Sequence, residues 1–555
     1  MDEKKATGLA LSRTVCGLCK PLLTDDPLSF PAYTGGTALK GDRVFFSVLC
    51  TAALPSSCLK LSLQTDSPLL DFISLYRVDS VPVRLPHYPA PERFDEDYLV
   101  HGPALLPDLL VPVQTVYLRY GILQQILVEI NVPADFPAGH HPVVLTMTTP
   151  EGEVAVRESV TLEVLDAVLP PQELRCTQWF HYDCLATYYG VKVFSPRHWQ
   201  IVENYLKTAR RCGINTILTP VLTPPLDTAV GGERPTVQLV DVTLENGNYR
   251  FGFDKLKRFC RLCRKVGMET LEISHFFTQW GATHAPKVMA TVDGEYRQIF
   301  GWDTVAAGEE YKAFLHALIP ELCKKLDEFG FAGQYFFHIS DEPSLKHLDS
   351  YQAAHDAVAE LLADYPVRDA LSDYEFYENG LVKNPIPAVN DAAPFVEREI
   401  PDLWTYYCCG QSVEVSNRFL AMPGYRTRAL GFQLYMQKIT GFLQWGYNFW
   451  YNQYSVSPVN PFVITDADFF VPAGDAFSVY PGPDGRALLS LHQILFEQAL
   501  YDQRAAVAAE KAVGREAVTA ELRKISSFDF MHYPKDDNAL LALRDTLNRM
   551  AVKEK

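Results

Sequence analysis

Short hydrophobic segments separated by polar breaks dominate the first third of the chain. Between residues 40 and 168, apolar and β-branched side chains gather in short runs that clusters of Pro, Gly and Asp divide. The run from Val154 to Leu165 alternates in places between apolar and polar positions, which is typical of a half-buried strand. The predicted strands cover residues 43–50, 59–65, 72–78, 125–132, 141–149 and 154–165. This spacing favours an all-β sandwich, which we assign to residues 1–168.

A stiff linker, Leu169-Pro170-Pro171, precedes a change in this rhythm, because each proline fixes φ and removes a hydrogen-bond donor. Beyond it, strand segments that are apolar on both faces alternate with helices, which indicates a parallel sheet in an α/β fold. The strand segments cover residues 176–183, 214–220, 269–277, 334–343, 370–376, 403–409 and 441–450. Because their number approaches eight, we predict a (β/α)8 TIM barrel over residues 172–510. A short helical tail follows at 511–555.

Local signals predict where several of these elements begin and end. Ser195 followed by Pro196 is typical of a helix start, and Gly213 is typical of a helix stop. A second helix is expected over residues 254–267. Asn246-Gly247 lies between two strand-like segments and predicts the turn of a hairpin.

The net charge of −17 limits the partners that the chain is expected to have. Its 67 acidic residues against 50 basic ones disfavour nucleic acid and an anionic membrane surface. No uninterrupted apolar stretch reaches the roughly 18 residues of a transmembrane helix, and the N-terminus lacks the features of a secretory signal peptide. Twelve cysteines in such a chain are expected to be reduced thiols. We therefore expect a cytoplasmic protein.

Two Cys-x-x-Cys pairs raise the question of a metal or redox site. The pairs, Cys16 with Cys19 and Cys260 with Cys263, lie too far apart in sequence for a zinc ribbon. The second pair shares an apolar helical stripe with Leu256. We interpret these cysteines as core thiols, and we expect neither a metal nor another cofactor.

The chemistry of the predicted barrel is expected where a buried strand ends in two adjacent carboxylates. Active residues of β/α barrels lie at the carboxyl ends of the strands. One strand ends directly in Asp341 and Glu342, and Pro343 then stops it. Two nearby carboxylates raise each other's pKa, so one can stay protonated near neutral pH and act as a general acid. The competing interpretation is a helix-capping Asp or a solvated loop pair.

Many β/α-barrel glycosidases use a second carboxylate, on a separate strand, to stabilise the reacting sugar carbon from its other face. That arrangement fits this sequence poorly. Residues 441–450, which form the candidate strand for the second carboxylate, contain neither Asp nor Glu. A substrate with a 2-acetamido group can instead use its own carbonyl oxygen as the nucleophile. The enzyme then needs one carboxylate to hold the acetamido N–H and one to act as acid and base. An adjacent Asp-Glu pair provides both.

Five segments occur in a recognisable order along the chain. They are NTILTP at 215–220, HISDEP at 338–343, LWTYYCC at 403–409, GFLQWGYN at 441–448 and GDAFSVYPG at 474–482. Together they resemble the catalytic domain of glycoside hydrolase family 123, over roughly residues 175–502. One departure is Ser490-Leu491-His492, where the family pattern commonly has Arg in place of the histidine, so the pairing near the last helix is open.

The resemblance implies both a fold and a function. Family members have a β-sandwich followed by a β/α barrel. Characterised members are exo-acting β-N-acetylgalactosaminidases that use neighbouring-group participation. By this resemblance, Asp341 would orient the acetamido group and stabilise an oxazolinium intermediate. Glu342 would protonate the leaving oxygen and later activate water.

Aromatic and polar residues near the late strand ends are candidates for holding the sugar. Ring faces can stack on sugar C–H surfaces, although core packing is an equal alternative for each ring. The aromatic candidates are Trp404, Tyr406, Tyr407, Trp445, Tyr447 and Trp450. Tyr406 and Tyr407 must face opposite ways along a strand, and the sequence does not decide which faces the site. Asn448 and His275, each at a strand end, are polar candidates.

Other functions remain open at this stage. The same acid pair could serve a glycosidase acting on a different sugar, or the chain could be a non-catalytic carbohydrate-binding protein. A metal-dependent hydrolase would need His-x-His or carboxylate clusters, which we do not find in the sequence. We expect a small oligosaccharide or glycoside as the substrate. The sequence leaves the linkage, the aglycone and a homodimer contact through the sandwich undecided.

Overall fold

The computed structural model describes residues 8–55, 57–89 and 94–552. Residues 1–7 and 553–555, which the predicted sandwich and tail include, lie outside that part. The fold is mixed α/β, with a sheet-rich N-terminal region, a central parallel sheet and a helical C-terminus. None of the helices in the described part is long and apolar enough to cross a membrane.

The N-terminal region forms two five-stranded sheets. Its strands are β1 Ala10–Cys16, β2 Gly35–Lys40, β3 Arg43–Ala52, β4 Cys58–Asp66, β5 Ile73–Val83, β6 Ala104–Pro112, β7 Thr115–Arg119, β8 Gln124–Asn131, β9 Gly139–Thr148 and β10 Val154–Val168. One sheet has the order β1-β3-β8-β5-β6 and the other β2-β10-β9-β4-β7. Apolar side chains of both sheets, such as Val48 and Ile126 of the first and Leu145 and Val160 of the second, share one core. The six strands predicted here are confirmed.

None of the remaining strands is longer than six residues, and six of them form the central sheet. The strands are β11 Arg175–Gln178, β12 Thr216–Thr219, β13 Asp241–Glu245, β14 Asn248–Gly252, β15 Thr270–Ile273, β16 Val288–Val292, β17 Glu295–Phe300, β18 Tyr335–Phe336, β19 Arg368–Ala370, β20 Asn384–Ile386, β21 Trp404–Tyr406, β22 Gly441–Gln444, β23 Val479–Pro481 and β24 Ala487–Leu489. The central sheet has the order β18-β15-β12-β11-β22-β21, and all its pairings are parallel, as predicted.

A small sheet lies beside the two edges of the central one. β19 and β20 pair in parallel. Single parallel bridges join Phe337, just after β18, to Val367, and Ala388, just after β20, to Tyr406 of β21. The edge strands β18 and β21 are therefore both linked to this two-stranded sheet.

A hairpin extends from the chain between β12 and the next helix. β13 and β14 pair antiparallel, with Glu245 opposite Asn248. The two turn residues have positive φ, 51° for Asn246 and 78° for Gly247, which is the conformation that the Asn-Gly pair favours. The predicted hairpin is confirmed, and it belongs to a four-stranded sheet of order β14-β13-β16-β17.

Helices follow most strands of the central sheet. They are α1 Tyr182–Tyr188, α2 Pro196–Arg211, α3 Asp254–Val266, α4 Glu309–Leu326, α5 Leu348–Val358, α6 Glu375–Glu378, α7 Ala393–Glu397, α8 Gly424–Met436, α9 Leu491–Val513, α10 Arg515–Arg523 and α11 Asp537–Met550. The Ser195 side chain accepts a hydrogen bond from the His198 backbone N–H and caps α2, as predicted. Gly267, with φ of 90°, ends α3.

The start of α9 shows what replaces the arginine expected from the family pattern. His492 lies in the first turn of α9 and is fully buried. Its Nδ1 lies 2.7 Å from an oxygen of Asp108 in β6, and the Tyr480 hydroxyl donates to the other oxygen of Asp108 at 2.6 Å. The histidine therefore pairs with a carboxylate of the N-terminal sheets.

Candidate active site

A cavity of about 200 Å³ opens where the central strands end. Its walls come from the carboxyl ends of β11, β12, β15, β18, β19, β21 and β22 or the loops that follow them. The lining residues are Trp179, His181, Leu226, Asp227, Gln279, Trp280, Asp341, Glu342, Ala370, Tyr406, Cys408, Cys409, Leu443, Trp445 and Phe470. Both carboxylates of the predicted acid pair belong to this set. In the part of the chain that the structure describes, no group of three or more His, Cys, Asp or Glu is arranged to hold a metal ion.

The backbone around the acid pair places both side chains at one cavity. The Trp280 N–H donates to the Asp341 carbonyl at 2.9 Å, and the Glu342 N–H donates to the Ala370 carbonyl at 3.0 Å. Glu342 has a φ of 44°, a left-handed conformation that costs a non-glycine residue free energy. Adjacent side chains of an extended strand point to opposite faces. The turn at Glu342 interrupts that alternation, so Asp341 and Glu342 can share a cavity.

Burial raises the pKa of both carboxyls of this pair, and the charge of Glu342 adds to the rise at Asp341. Burial, followed by the charge of Glu342, raises the pKa of Asp341 well above its usual range. Burial also raises the pKa of Glu342, whereas hydrogen bonds from the Tyr406 and Trp280 side chains oppose that rise. The Tyr406 hydroxyl donates to Glu342 Oε1 at 2.7 Å. The raised pKa values favour a proton on the pair, as general acid catalysis requires.

A buried charge network lies beside Asp341. His338 Nε2 lies 2.8 Å from Glu272 Oε1, and His338 Nδ1 lies 3.3 Å from Asp369 Oδ1. Burial disfavours the imidazolium, but the hydrogen bonds to the two carboxylates outweigh it and raise the pKa of His338 to about 9. The pKa of Asp341 responds to all three groups: His338 lowers it, and Asp369 and Glu272 raise it.

Hydrogen bonds orient two tryptophans of the cavity wall. The Trp179 indole donates to Glu272 Oε1 at 2.7 Å, and the Trp445 indole donates to Asp475 Oδ2 at 2.8 Å. Asp475 is buried, which raises its pKa to about 6. Since each indole N–H is bound to a carboxylate, the orientation of each ring is set before a ligand enters. Such rings can stack on a sugar.

The structure brings four of the predicted site residues together at the cavity. These are Asp341, Glu342, Tyr406 and Trp445. Tyr407, next to Tyr406, faces the other way and packs against Phe442 at a ring distance of 4.8 Å. Strand alternation explains this division.

The other predicted residues lie outside the cavity wall. Trp404, at the amino end of β21, packs against Phe336 and Arg368. Tyr447 packs against Phe180, and its hydroxyl donates to the Tyr205 carbonyl. Trp450 packs beside Tyr205. These three rings belong to the core.

The two polar candidates contact residues of the site rather than the cavity. Asn448 accepts from the His181 N–H at 2.9 Å and donates to the His181 carbonyl at 3.0 Å, so it holds a residue of the wall in place. His275 stacks on His338, with ring centroids 4.2 Å apart. Burial and the neighbouring charge of His338 lower the pKa of His275 well below its usual range.

Several residues of the cavity were not found from the sequence. Trp280 comes shortly after the predicted strand 269–277, so the rule that selected Asp341 could have selected it as well. Trp179 follows β11, but it lies inside the segment 176–183 that we assigned to a strand. Asp227 and Phe470 lie in loops, where no periodicity places a side chain. Cys408 and Cys409 end the segment 403–409 that we assigned to a strand, although β21 stops at Tyr406. His181 is the residue directly before α1, within a segment that we assigned to a strand.

A family model and a solved structure, each similar to more than half of this chain, carry the same family description. A family model described as the catalytic domain of glycoside hydrolase 123 matches residues 179–507. A solved structure from Clostridium perfringens, described as a family 123 glycoside hydrolase that acts on glycolipid glycans, is similar over 98% of both chains, with a TM-score of 0.75 and 15% identity. At that identity the match concerns the fold alone. A β-glucuronidase from Parabacteroides merdae covers 82% of this chain and 50% of its own, with 12% identity and a TM-score of 0.31, which supports no conclusion. None of the curated proteins compared with the chain matches it significantly.

Proposed function

The chain belongs to glycoside hydrolase family 123, and from this premise we propose that it releases terminal β-linked 2-acetamido sugars, with N-acetylgalactosamine favoured, by substrate-assisted retaining hydrolysis. Membership in the family makes the chain a glycosidase. The proposal of substrate-assisted hydrolysis rests on the side-by-side position of Asp341 and Glu342 in one cavity wall. Adjacent carboxylates can serve two neighbouring groups of one sugar, the 2-acetamido N–H and the glycosidic oxygen at C1, whereas a carboxylate nucleophile and its partner acid stand about 5 Å apart across the bond.

In the proposed reaction, Asp341 and Glu342 have different roles once the substrate is bound. The acetamido N–H donates to Asp341 and favours the ionised form of that carboxyl, which leaves the proton on Glu342. The acetamido carbonyl oxygen then attacks C1 while the glycosidic C1–O bond breaks, and Glu342 gives its proton to the leaving oxygen. The products of this step are the aglycone and an oxazolinium ion, whose charge Asp341 stabilises.

The second step returns the enzyme to its starting state. Glu342, now a carboxylate, accepts a proton from a water molecule that attacks C1. The C1–O bond of the oxazolinium breaks, and the acetamido group is restored. Two inversions at C1 give net retention. The His338 imidazolium favours the ionised form of Asp341 in both steps.

The size and lining of the cavity support action on a terminal sugar. A volume of about 200 Å³ suits a single sugar ring rather than an internal stretch of a polymer. Trp179 and Trp445 offer ring faces for stacking. At the rim, Trp280 and Tyr454 are 41% and 38% exposed, and their rings lie 6.1 Å apart. We place the aglycone against these two rings.

We also propose that the central sheet and the small sheet together close into a barrel. The six-stranded sheet, β19 and β20 provide eight parallel strands. The bridges at Phe337 and at Ala388 support closure, because they join the small sheet to both edges of the large one. With the two facing N-terminal sheets as a β-sandwich, this gives the arrangement that the sequence predicts.

The natural substrate and its compartment are also part of the proposal. All twelve cysteines, each within the described residues, are free, which supports a reducing cytoplasm. A small oligosaccharide would suit that compartment. The similar protein from Clostridium perfringens is described as hydrolysing glycolipid glycans, so an intact glycolipid is the substrate to compare with a soluble oligosaccharide.

The test compares three 4-nitrophenyl substrates: β-N-acetylgalactosaminide, β-N-acetylglucosaminide and plain β-galactoside. We expect hydrolysis of the acetamido sugars only, fastest for the galactosaminide, and losses of about 100-fold or more in kcat for both Asp341→Asn and Glu342→Gln. Asp349→Asn, an exposed acid in the first turn of α5, is the control and should be unchanged. Hydrolysis of the plain galactoside would favour a glycosidase for a different sugar. Binding without hydrolysis of any substrate would favour a carbohydrate-binding protein.

A further inference from the structure

We propose that Asp227 and Gln279 form a hydroxyl-binding pair that selects the terminal sugar. The proposal rests on the proposed function, because it assumes that the cavity holds a sugar. It assigns the two residues to a hydroxyl of the sugar ring away from the reacting C1 and its acetamido neighbour. They would determine which sugar enters rather than take part in the bond-breaking step.

Both side chains line the cavity, and each has a buried polar atom without a protein partner. Asp227 is 7% exposed and Gln279 is 8% exposed. Within the described residues, Asp227 Oδ2 and Gln279 Nε2 have no hydrogen-bond partner. A buried polar atom left unpaired costs about 1–3 kcal/mol. Two such atoms in the wall of one cavity therefore indicate a polar ligand.

The pair is held in place before a ligand binds. Asp227 has a φ of 41°, a strained conformation that the surroundings must maintain. Its N–H donates to Gln279 Oε1 at 2.6 Å, and its carbonyl accepts from the Ser455 hydroxyl at 2.7 Å. Arg234 also donates to the Leu226 carbonyl at 2.8 Å, next to Asp227. These contacts fix the loop after β12.

The hydrogen bonds also determine which polar atoms are left free. A backbone N–H can only donate, so the atom of Gln279 that contacts the Asp227 N–H must be the amide oxygen. The amide nitrogen is then the free donor. The Tyr454 backbone lowers the pKa of the Asp227 carboxyl, and Oδ2 of that carboxyl is the free acceptor.

An acceptor and a donor together match the chemistry of a sugar hydroxyl. The hydroxyl donates its hydrogen to Asp227 and accepts one from Gln279. Burial raises the pKa of Asp227 to about 6, so the carboxyl is mostly ionised at neutral pH and gives a charge-assisted hydrogen bond. A site built in this way discriminates strongly against an analogue whose hydroxyl is missing or misplaced, because its own polar atoms then stay unpaired.

Two isosteric variants and their combination test the pair. In Asp227→Asn, a side-chain amide N–H replaces the free acceptor, and asparagine tolerates positive φ. In Gln279→Glu, a carboxylate oxygen replaces the free donor. The variant with both changes carries one donor and one acceptor again, in exchanged positions. Each single variant should lower kcat/KM for the preferred substrate about 10- to 100-fold, mainly through KM. It should also reduce the ratio between the galactosaminide and the glucosaminide.

The double variant gives the result that a merely structural role would not give. We expect it to recover at least part of the KM lost in the single variants, because a hydroxyl can reverse its donor and acceptor roles. Glu233→Gln, at an exposed position of the same loop, is the control and should match wild type. The proposal would be overturned if the single variants kept the wild-type KM and the wild-type ratio between the galactosaminide and the glucosaminide. It would also be overturned if the two losses in kcat/KM multiplied in the double variant. Either result would leave the proposed hydrolysis intact.

Calorimetry separates this inference from the proposed function. If wild type hydrolyses no acetamido glycoside, the function fails, and binding of N-acetylgalactosamine, N-acetylglucosamine, galactose and glucose then decides the inference. Weaker binding of the preferred sugar to both single variants, with unchanged binding to Glu233→Gln, supports the pair. Equal binding to all variants, or binding of none of the four sugars to wild type, overturns it.

Discussion

Tyr406 and Tyr407 show what a single residue contributes at this site. Their side chains point to opposite faces of one strand, as any neighbours in a strand must. Tyr406 contacts Glu342, whereas Tyr407 lies in the core with no partner for its hydroxyl among the described residues. The two tyrosines therefore provide a matched pair of variants that remove the same hydroxyl from opposite sides of the strand.

We predict that Tyr406→Phe shifts the pH dependence of hydrolysis. The hydrogen bond from Tyr406 lowers the pKa of Glu342, so its removal raises that pKa. A general acid must be protonated to act. The alkaline limb of the kcat/KM profile should therefore move to higher pH, with kcat about 10-fold lower because Glu342 is less well oriented. Tyr407→Phe should keep the wild-type profile. An unshifted profile in Tyr406→Phe would mean that Tyr406 does not tune the acid.

His338 connects the site to the stability of the fold. Its pKa is about 9, above the ordinary 6.5. The imidazolium therefore stabilises the folded state fully below pH 6.5, and this contribution disappears as pH rises through 9. The difference of 2.5 pH units corresponds to at most about 3 kcal/mol.

We predict that the free energy of unfolding of wild type, relative to His338→Gln, decreases between pH 6.5 and 9. Urea unfolding curves at several pH values measure it. The comparison with the variant removes the contributions of other groups that titrate in this range. A difference that is constant across the range, or that grows with pH, would mean that His338 is neutral in the folded protein.

The expectation that active residues lie at the carboxyl ends of barrel strands identified some residues of the cavity and could not identify others. Trp445 directly follows β22, and Asp341 and Glu342 lie in the segment that follows β18, so the sequence places all three at the open edge of the sheet. Asp227 depends on a left-handed turn and on contacts with Gln279 and Ser455, which lie far from it in the chain. No local pattern encodes contacts of that kind.

The strands likewise divide into those that the sequence predicts and those that it does not. Strands with regular apolar runs, such as β3, β8 and β10, were predicted. β6 contains Pro107 and ends at Pro112, residues that suit an edge strand, which is where β6 lies. β2 begins with Gly35-Gly36, and β20 has three residues. Their short or interrupted patterns are too weak to predict, because pairing with neighbouring strands makes them strands.

The start of α9 provides a prediction for a single element. The Ser490 hydroxyl accepts from the Gln493 N–H at 3.1 Å and donates to the Ser478 carbonyl at 2.6 Å, and all of these groups are buried. We predict that Ser490→Ala lowers the free energy of unfolding by about 2 kcal/mol, because it leaves two buried groups unpaired. Ser195→Ala, which removes the half-buried cap of α2, should cost about 1 kcal/mol. Equal losses in the two urea titrations would contradict this account of α9.

At the scale of the whole molecule, ion pairs tie the C-terminal helices to the N-terminal sheets. Arg544 of α11 lies in the core and pairs with Asp42, between β2 and β3, and with Asp502 of α9. Arg549, also on α11, is half exposed and pairs with Glu163 and Asp545. The role of the tail could not be predicted from the sequence, because contacts this distant along the chain leave no local pattern.

We predict that Arg544→Met destabilises the whole fold by about 3 kcal/mol, because it leaves the buried Asp42 without its partner. Arg549→Met should change the free energy of unfolding by less than about 1 kcal/mol, because its partners are solvated. Urea unfolding followed by tryptophan fluorescence measures both. A single transition that shifts as a whole in Arg544→Met would show that the helices and sheets unfold together. Similar small effects of both changes would mean that α11 contributes little to the fold.

The participation of the acetamido group is the central claim, and a series of modified substrates tests it most directly. In 4-nitrophenyl β-N-acetylgalactosaminides whose acetamido methyl group carries none, one, two or three fluorine atoms, each fluorine makes the carbonyl oxygen a poorer nucleophile and leaves the leaving group unchanged. If that oxygen attacks C1, kcat/KM falls steeply with every fluorine, and Asp341→Asn, which no longer supports the attack, is slow throughout the series. A kcat/KM that does not depend on fluorine number would show that the nucleophile belongs to the protein or to water, and would contradict the account.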